Sequence, residues 1–352
     1  MILQETKVLK VAPDLSGEGD VEKIAFAADI IKKGGLVAFP TETVYGLGAN
    51  ALDEKAVANI FTAKGRAQDN PLIVHVSDKS DIDKYAYADG NKNADILISQ
   101  MPAPLTVILP KKDVIPLSVT AGLSNVALRI PQNVIARKLI ELSALPIAAP
   151  SANLSGKPSP TKPEHVIADM MGKADVIIDG GSCDVGLEST VISLTYDIPR
   201  LLRPGGFTYE RLSALLGKVE ISDAVLEQLK EGQRPESPGM KYKHYAPETR
   251  VVLVKGEAGK VREFLAEKYE NEKCAVICFD EDIDADDIRI LKMGSRKNKD
   301  AYAAGMFDAL RETDKISGID VVYAVLPENT DGIALAIYNR MLRAAAFNIT
   351  EI

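Results

Sequence analysis

Two cations one residue apart, Lys64 and Arg66, flank Gly65 in a stretch that also carries Thr41, Glu42, Thr43, Tyr45 and His75. An arginine grips phosphate or carboxylate oxygens with a planar fork, and a lysine adds a point charge. The set therefore suits an anionic small molecule. Downstream, Ser151 and Asn153 follow Ala149-Pro150 directly, and such neutral groups bind phosphate or ribose as readily as they close local turns. Arg129 lies inside the apolar run VALRIP, where a cation is costly unless it is paired or opens onto a site. Arg203 in LLRPGG follows another apolar run and precedes a glycine pair; Thr120 in VTAGL and Ser189 in LEST are weaker signals. His75 alternates with apolar residues, a pattern that more often marks a packed or hydrogen-bonded histidine than a catalytic one. His165 and His244 have no metal-ligand spacing with it, and no structural zinc site is expected.

Those side chains need strands to end where they begin, because open α/β sheets bind ligands at the carboxyl ends of their strands. The periodicity predicts a helix over residues 20–33 closed by Gly34-Gly35, a strand over Leu36–Phe39, a loop Thr41–Asn50, and a helix from an Asp53 cap to about Ala63. A loop Lys64–Pro71 and a strand Leu72–Val76 follow. Further strands are expected at Leu105–Leu109, Val126–Ile130, Ile147–Ala149, Val176–Ile178, Thr190–Leu194 and Arg200–Leu202. Helices are expected at Ala94–Gln100, Val134–Leu142, Pro163–Met170 and Tyr209–Leu216. Strands and helices mix without strict alternation, which predicts a mixed twisted α/β sheet. The pattern Gly46-Leu-Gly48-Ala-Asn-Ala51 resembles a dinucleotide loop, but it lies too far from the preceding strand and no acidic residue ends the next one. The glycines read as a tight turn or a close approach to a ligand.

At 352 residues, two domains are expected. The division places a catalytic domain at 1–216, a linker at 217–248 and a smaller Rossmann-like α/β domain at 249–352. The linker starts with a weak helix, Asp223–Leu229, and continues into a Pro-, Gly- and charge-rich segment. Its Met240, Tyr242, His244 and Tyr245 suggest that it packs against something. The net charge of −8 divides into −3 up to Leu216 (22 basic, 25 acidic) and −5 beyond it (20 basic, 25 acidic), so neither half has the basic excess of a nucleic-acid binder. No apolar run reaches the roughly 18 residues of a membrane span. The N-terminus does not read as an export signal, and three cysteines, Cys183, Cys274 and Cys278, cannot make a disulfide framework. The expected compartment is the cytoplasm.

In order, PTETVYGLGANA, the Lys64/Arg66 pair, NPLIVHV, PLTVIL, VALRIP, APSANLSGKPSPT, LESTVI and LLRPGG resemble the YrdC-type L-threonylcarbamoyladenylate synthases. PGMKYKHYAP and the trailing module resemble the long, two-domain form; one departure is Ala103 in MPAPLT, where the family usually has Pro-Gly-Pro. The resemblance implies that L-threonine, bicarbonate or CO2, and ATP give threonylcarbamoyl-AMP and pyrophosphate, the first step of tRNA threonylcarbamoyladenosine formation. It implies catalytic roles for Lys64 and Arg66. It assigns ATP to these two with Thr120, Ser151, Asn153, Arg203 and Tyr245, and threonine to Thr41, His75, Arg129 and Ser189. It further implies Mg2+ held mainly by the ATP phosphates, a downstream threonylcarbamoyl transferase, weak tRNA binding and no membrane partner. Two other readings stay open at this point: an RNA-binding platform and a carbamoyl transferase acting on carbamoyl phosphate.

Overall fold

The structure, a computed structural model, describes residues 5–227 and 245–352. It divides into two compact units. The first comprises Met1–Ser155, Pro160–Asp184 and Glu188–Lys241; the second comprises Gly156–Ser159, Val185–Leu187 and Tyr242–Ile352.

The strands of the first unit are β1 (Lys7–Lys10), β2 (Val37–Phe39), β3 (Gly46–Asn50), β4 (Ile73–His75), β5 (Leu105–Pro110), β6 (Asn125–Arg129), β7 (Ile147–Ala148), β8 (Val176–Asp179), β9 (Thr190–Ser193), β10 (Arg200–Arg203) and β11 (Glu220–Ile221). Among the described residues they form one sheet in the order β1-β8-β2-β3-β7-β4-β6-β5-β9-β10-β11. Parallel and antiparallel neighbours mix, as the irregular alternation of elements predicted. The helix Asp20–Lys32 buries Ile24, Ala27, Ala28 and Ile31 at helical spacing. With Ile135, Ala136, Leu139 and Ile140 of the helix Val134–Ser143 they cover Phe39, Ile147 and Val176 in one core.

Three expectations change. The segment Gly46–Asn50 is not loop but strand, paired antiparallel with both β2 and β7. Its glycines escape a pattern reading because they have no side chain to alternate. A Cβ on Gly48 would lie 2.7 Å from both the Phe39 ring and Ile147, so these glycines make room for core side chains within a strand instead of forming a turn. The expected helix Asp223–Leu229 is a short 3-10 turn, Asp223–Val225, within the described residues. Strand β11 extends the sheet past Leu216 by pairing with β10. Met240, Tyr242 and His244 lie outside the described residues.

In the second unit, β12 (Val251–Lys255), β13 (Cys274–Cys278), β14 (Ile290–Lys292), β15 (Val321–Val325) and β16 (Ile349–Glu351) form a parallel sheet in the order β14-β13-β15-β12-β16. The helices Ala258–Asn271, Lys299–Thr313 and Ala334–Ala344 connect it. Cys274 and Cys278 are core thiols of β13, and burial pushes Cys278 up to about 12.

Candidate active site

The helix Glu54–Lys64 delivers the first cation. Asp53 caps its start by accepting from the Lys55 and Ala56 amides at 2.9 and 3.2 Å. Gly65 ends it in the left-handed conformation at φ 61°, which a side chain would disfavour. Gly65 is thus the stop that makes Lys64 the last helical residue. Lys64 is buried, and its Nζ donates to the Ser151 carbonyl, to the Asn153 carbonyl at 2.5 Å and to Asn153 Oδ1 at 3.3 Å. Ser151 Oγ donates to the same Oδ1 at 2.5 Å, and the Ser155 amide closes back on the Lys64 carbonyl at 2.9 Å. Lys64, Ser151 and Asn153 therefore form one knot of loop and helix end. Arg66 turns toward the Asn70 and Pro71 carbonyls at 3.5 and 3.4 Å, long contacts that leave its charge on the same loop.

The second half of the site is a rung across the sheet. His75 of β4 pairs with Arg129 of β6, and Arg129 pairs with Thr106 of β5. Thr106 pairs with Val191 of β9, and Val191 with Arg203 of β10. Partners in register share a face, so His75, Arg129 and Thr106 stand side by side. Thr106 Oγ1 meets Ser189 Oγ at 2.7 Å, and Arg203 donates to the Ser189 carbonyl at 3.0 Å and to Ser189 Oγ at 3.1 Å. Ser189 and Arg203 are thereby joined to the same row. Arg129 donates from Nη2 to Glu42 Oε1 at 2.7 Å, a buried ion pair. Thr41 anchors the turn that carries Glu42: its Oγ1 donates to the Val44 carbonyl at 2.7 Å and lies 2.8 Å from Thr43 Oγ1.

His75 is buried against the Phe39 ring, with centroids 6.2 Å apart and edge to face. Burial, and then the Arg129 charge, push its imidazole down to about 3, so it is neutral at ordinary pH. Its Nδ1 and the Nε of Arg129 are buried and have no hydrogen-bond partner among the described residues. Unsatisfied polar atoms of this kind on adjacent residues are costly to keep in a sheet without a ligand to use them. Cys183, whose thiol burial pushes up, lies against the Thr41 backbone beside Glu42 and Arg129.

Thr120 lines a cleft of about 290 Å³ with Pro71, Leu72, Ile108, Asn125 and Ala127. Ile73, Ala127 and Ile108 form the rung two residues from His75–Arg129–Thr106, so this cleft opens on the same sheet face. Tyr245 belongs to the second unit, where its ring stacks at a tilt on Phe307 with centroids 5.2 Å apart. The structure thus joins Lys64, Ser151 and Asn153 in one group, and His75, Arg129, Ser189 and Arg203 in another with Thr41 beside it through Glu42. Thr106 and Glu42 are absent from the sequence-derived ligand set. Thr106 is masked by the apolar run LTVILP, although a hydroxyl within such a run was a usable signal.

The cationic knot and the polar rung lie on one mixed α/β sheet, and comparison with known proteins places that sheet in the Sua5/YciO/YrdC class. The model of that family, described as Telomere recombination, matches residues 29–205, and one described as Threonylcarbamoyl-AMP synthase, C-terminal domain, matches residues 207–346. The threonylcarbamoyl-AMP synthase of Pyrococcus abyssi is 46% identical over 94% of this chain and 96% of its own, and that of Bacillus subtilis 43% over 92% and 93%. The crystal structure of P. abyssi Sua5 complexed with L-threonine superposes with a TM-score of 0.90 at 43% identity, covering 99% of this chain and all of that one. The chain belongs to the threonylcarbamoyl-AMP synthase family.

Proposed function

We propose that this enzyme makes L-threonylcarbamoyl-AMP from L-threonine, bicarbonate or CO2, and ATP, releasing pyrophosphate, and so acts as a nucleotidyltransferase. The observation that carries the proposal is the pair of unpartnered buried atoms, His75 Nδ1 and Arg129 Nε, on adjacent strands of a chain belonging to this family. The amine of threonine adds to CO2 and loses a proton, giving a carbamate. A carbamate oxygen then attacks the α-phosphorus, and pyrophosphate leaves. Every bond made or broken lies in the substrates, so the protein contributes positioning and charge stabilisation.

In this reading Arg129 takes the threonine carboxylate, and His75, Thr41 and Ser189 surround the rest of the amino acid. Lys64 and Arg66 neutralise the triphosphate, with Ser151, Asn153, Thr120, Arg203 and Tyr245 completing the nucleotide side. The carboxylate at the rung, Glu42, is already bound to Arg129. In this reading a magnesium ion would be held mainly by the ATP phosphates themselves. Magnesium supplies charge neutralisation on the phosphates. No helix among the described residues is long and apolar enough to cross a membrane. A cytoplasmic setting, delivery of the product to a threonylcarbamoyl transferase and weak contact with tRNA complete the proposal.

Pyrophosphate release from ATP, with threonine and bicarbonate omitted in turn, tests it. Both omissions should abolish release. Turnover indifferent to threonine would overturn the reading, and turnover of carbamoyl phosphate without ATP would favour the carbamoyl-transferase alternative.

A further inference from the structure

We infer that Glu42 is a positioning residue for threonine binding: it holds the Arg129 guanidinium so that its Nε edge faces the ligand. The inference rests on the proposed role of Arg129. A guanidinium has five N–H donors in a rigid fork. Glu42 takes one of them, through Oε1 at 2.7 Å from Nη2. Its other oxygen is committed elsewhere, accepting from the Gln132 amide at 3.1 Å and the Asn133 amide at 3.5 Å. The carboxylate therefore meets Arg129 through one oxygen only. This single-point grip anchors the Nη2 end of the fork while the buried Nε stays without a partner.

The segment that presents Glu42 is itself held. Thr41 Oγ1 accepts from the Thr43 and Val44 amides, both at 3.2 Å, and donates to the Val44 carbonyl. Glu42 and Arg129 are each only about 5% exposed at the side chain, so neither is free to swing in water. The pair is also neutral as a whole. An uncompensated Arg129 would attract any anion, including stray phosphate; a compensated one binds through the orientation of its remaining donors. With His75 Nδ1 unpartnered on the adjacent strand, the rung offers a carboxylate-binding edge and a neutral acceptor side by side. That combination matches an amino acid better than a simple anion.

A merely structural role is also conceivable for Glu42, because its Oε2 accepts from amides that lead into the helix Val134–Ser143. The two roles separate in a double-mutant cycle read as ligand affinity. Titration calorimetry of the full chain with L-threonine, and separately with a non-hydrolysable ATP analogue, would compare wild type, Glu42→Gln, Glu42→Asp, Arg129→Met and Glu42→Gln/Arg129→Met. Loss of one hydrogen bond to a charged group changes an equilibrium constant by roughly tenfold to a hundredfold. Threonine affinity should therefore fall about tenfold or more in Glu42→Gln and partly recover in Glu42→Asp, with the affinity for the ATP analogue within about threefold of wild type. In the Arg129→Met background the Glu42 change should have no further effect on threonine, because Glu42 acts through Arg129. Unchanged threonine affinity in a folded Glu42 variant would overturn the inference. So would a fall of both affinities together, or equal Glu42 effects in both backgrounds. If Glu42→Gln does not fold, Glu42→Asp alone decides by the same threonine-against-nucleotide comparison. Wild-type pyrophosphate release that ignores threonine would instead refute the proposed function, so the two failures are distinguishable.

Discussion

His75 should make the enzyme less stable as the pH falls, and by an amount that follows from its burial. Its ordinary pKa is 6.5, and in the fold it is pushed down to about 3 by desolvation and then by Arg129. The folded state therefore takes up no proton at His75 near neutrality, while the unfolded chain takes one up below 6.5. Stability from this group is fully present above pH 6.5 and is lost as the pH falls toward the folded value. Between pH 7.5 and pH 5 the loss comes to about 2 kcal/mol. This figure hardly depends on how far below 5 the folded pKa lies, because the folded imidazole stays neutral throughout. The chain has three histidines, so an imidazole NMR titration has few signals to assign, and His75→Gln identifies the one of interest. That signal should remain neutral down to pH 5. Denaturant unfolding of wild type and His75→Gln should show curves whose difference narrows by about 2 kcal/mol over this range. A His75 that titrates near 6.5, or stability curves that run parallel, would refute the reasoning. Removing Arg129, the second cause of the shift, should raise the His75 pKa from its low value.

The other predictions concern the two halves of the site and the strand that backs them. Lys64→Ala and Arg66→Ala should weaken ATP binding and slow pyrophosphate release; nucleotide titration checks this, and unchanged affinity would dismiss the phosphate assignment. Thr106→Val removes the 2.7 Å contact to Ser189 Oγ and should cost about 1 kcal/mol or more of stability, measured by denaturation, while raising the KM for threonine more than that for ATP. Gly48→Ala places a Cβ 2.7 Å from the Phe39 ring and Ile147, and should destabilise by about 1–3 kcal/mol in thermal unfolding.

Most of the elements were legible because their apolar positions repeat with a clear period. The helices Pro163–Met170 and Tyr209–Leu216 lie where they were expected, and Asp53 caps its helix as its type suggests. Strand β3 was not legible, since Gly46 and Gly48 give no alternation and the two strands that flank it, β2 and β7, are about a hundred residues apart in sequence. Short edge strands such as β1, β11 and β16 carry too few residues to show a period. For the site, residue type and local context singled out Lys64, Arg66, Ser151, Asn153, Arg129 and Arg203. The sequence could not show that Arg129 is the neighbour of His75 on one side and Thr106 on the other. That is a property of strand order, and the order β4-β6-β5 does not follow the chain. Nor could it reveal that Glu42, which looks like one more hydroxyl-flanked loop residue, is the counter-charge of Arg129.

The two halves of the site are built differently, and the difference has consequences for how substrates enter. The rung is fixed by strand pairing on both sides, and its unpartnered atoms, His75 Nδ1 and Arg129 Nε, are already desolvated, so the side proposed for the amino acid would be preorganised. The knot at Lys64 is held by two carbonyls of a loop and by the Asn153 side chain. An ammonium has three N–H donors. Of the contacts Lys64 makes here, the 3.3 Å one to Asn153 Oδ1 is the weakest, and that oxygen also accepts from Ser151 Oγ. Exchange of this one contact for a phosphate oxygen would leave both backbone carbonyls on Lys64 and the Ser151–Asn153 hydrogen bond in place. On the proposed assignment, the nucleotide side would adapt by side-chain exchange around a fixed lysine. Changes in the rung should alter stability and threonine affinity, whereas changes in Ser151 or Asn153 should alter nucleotide affinity with little loss of fold.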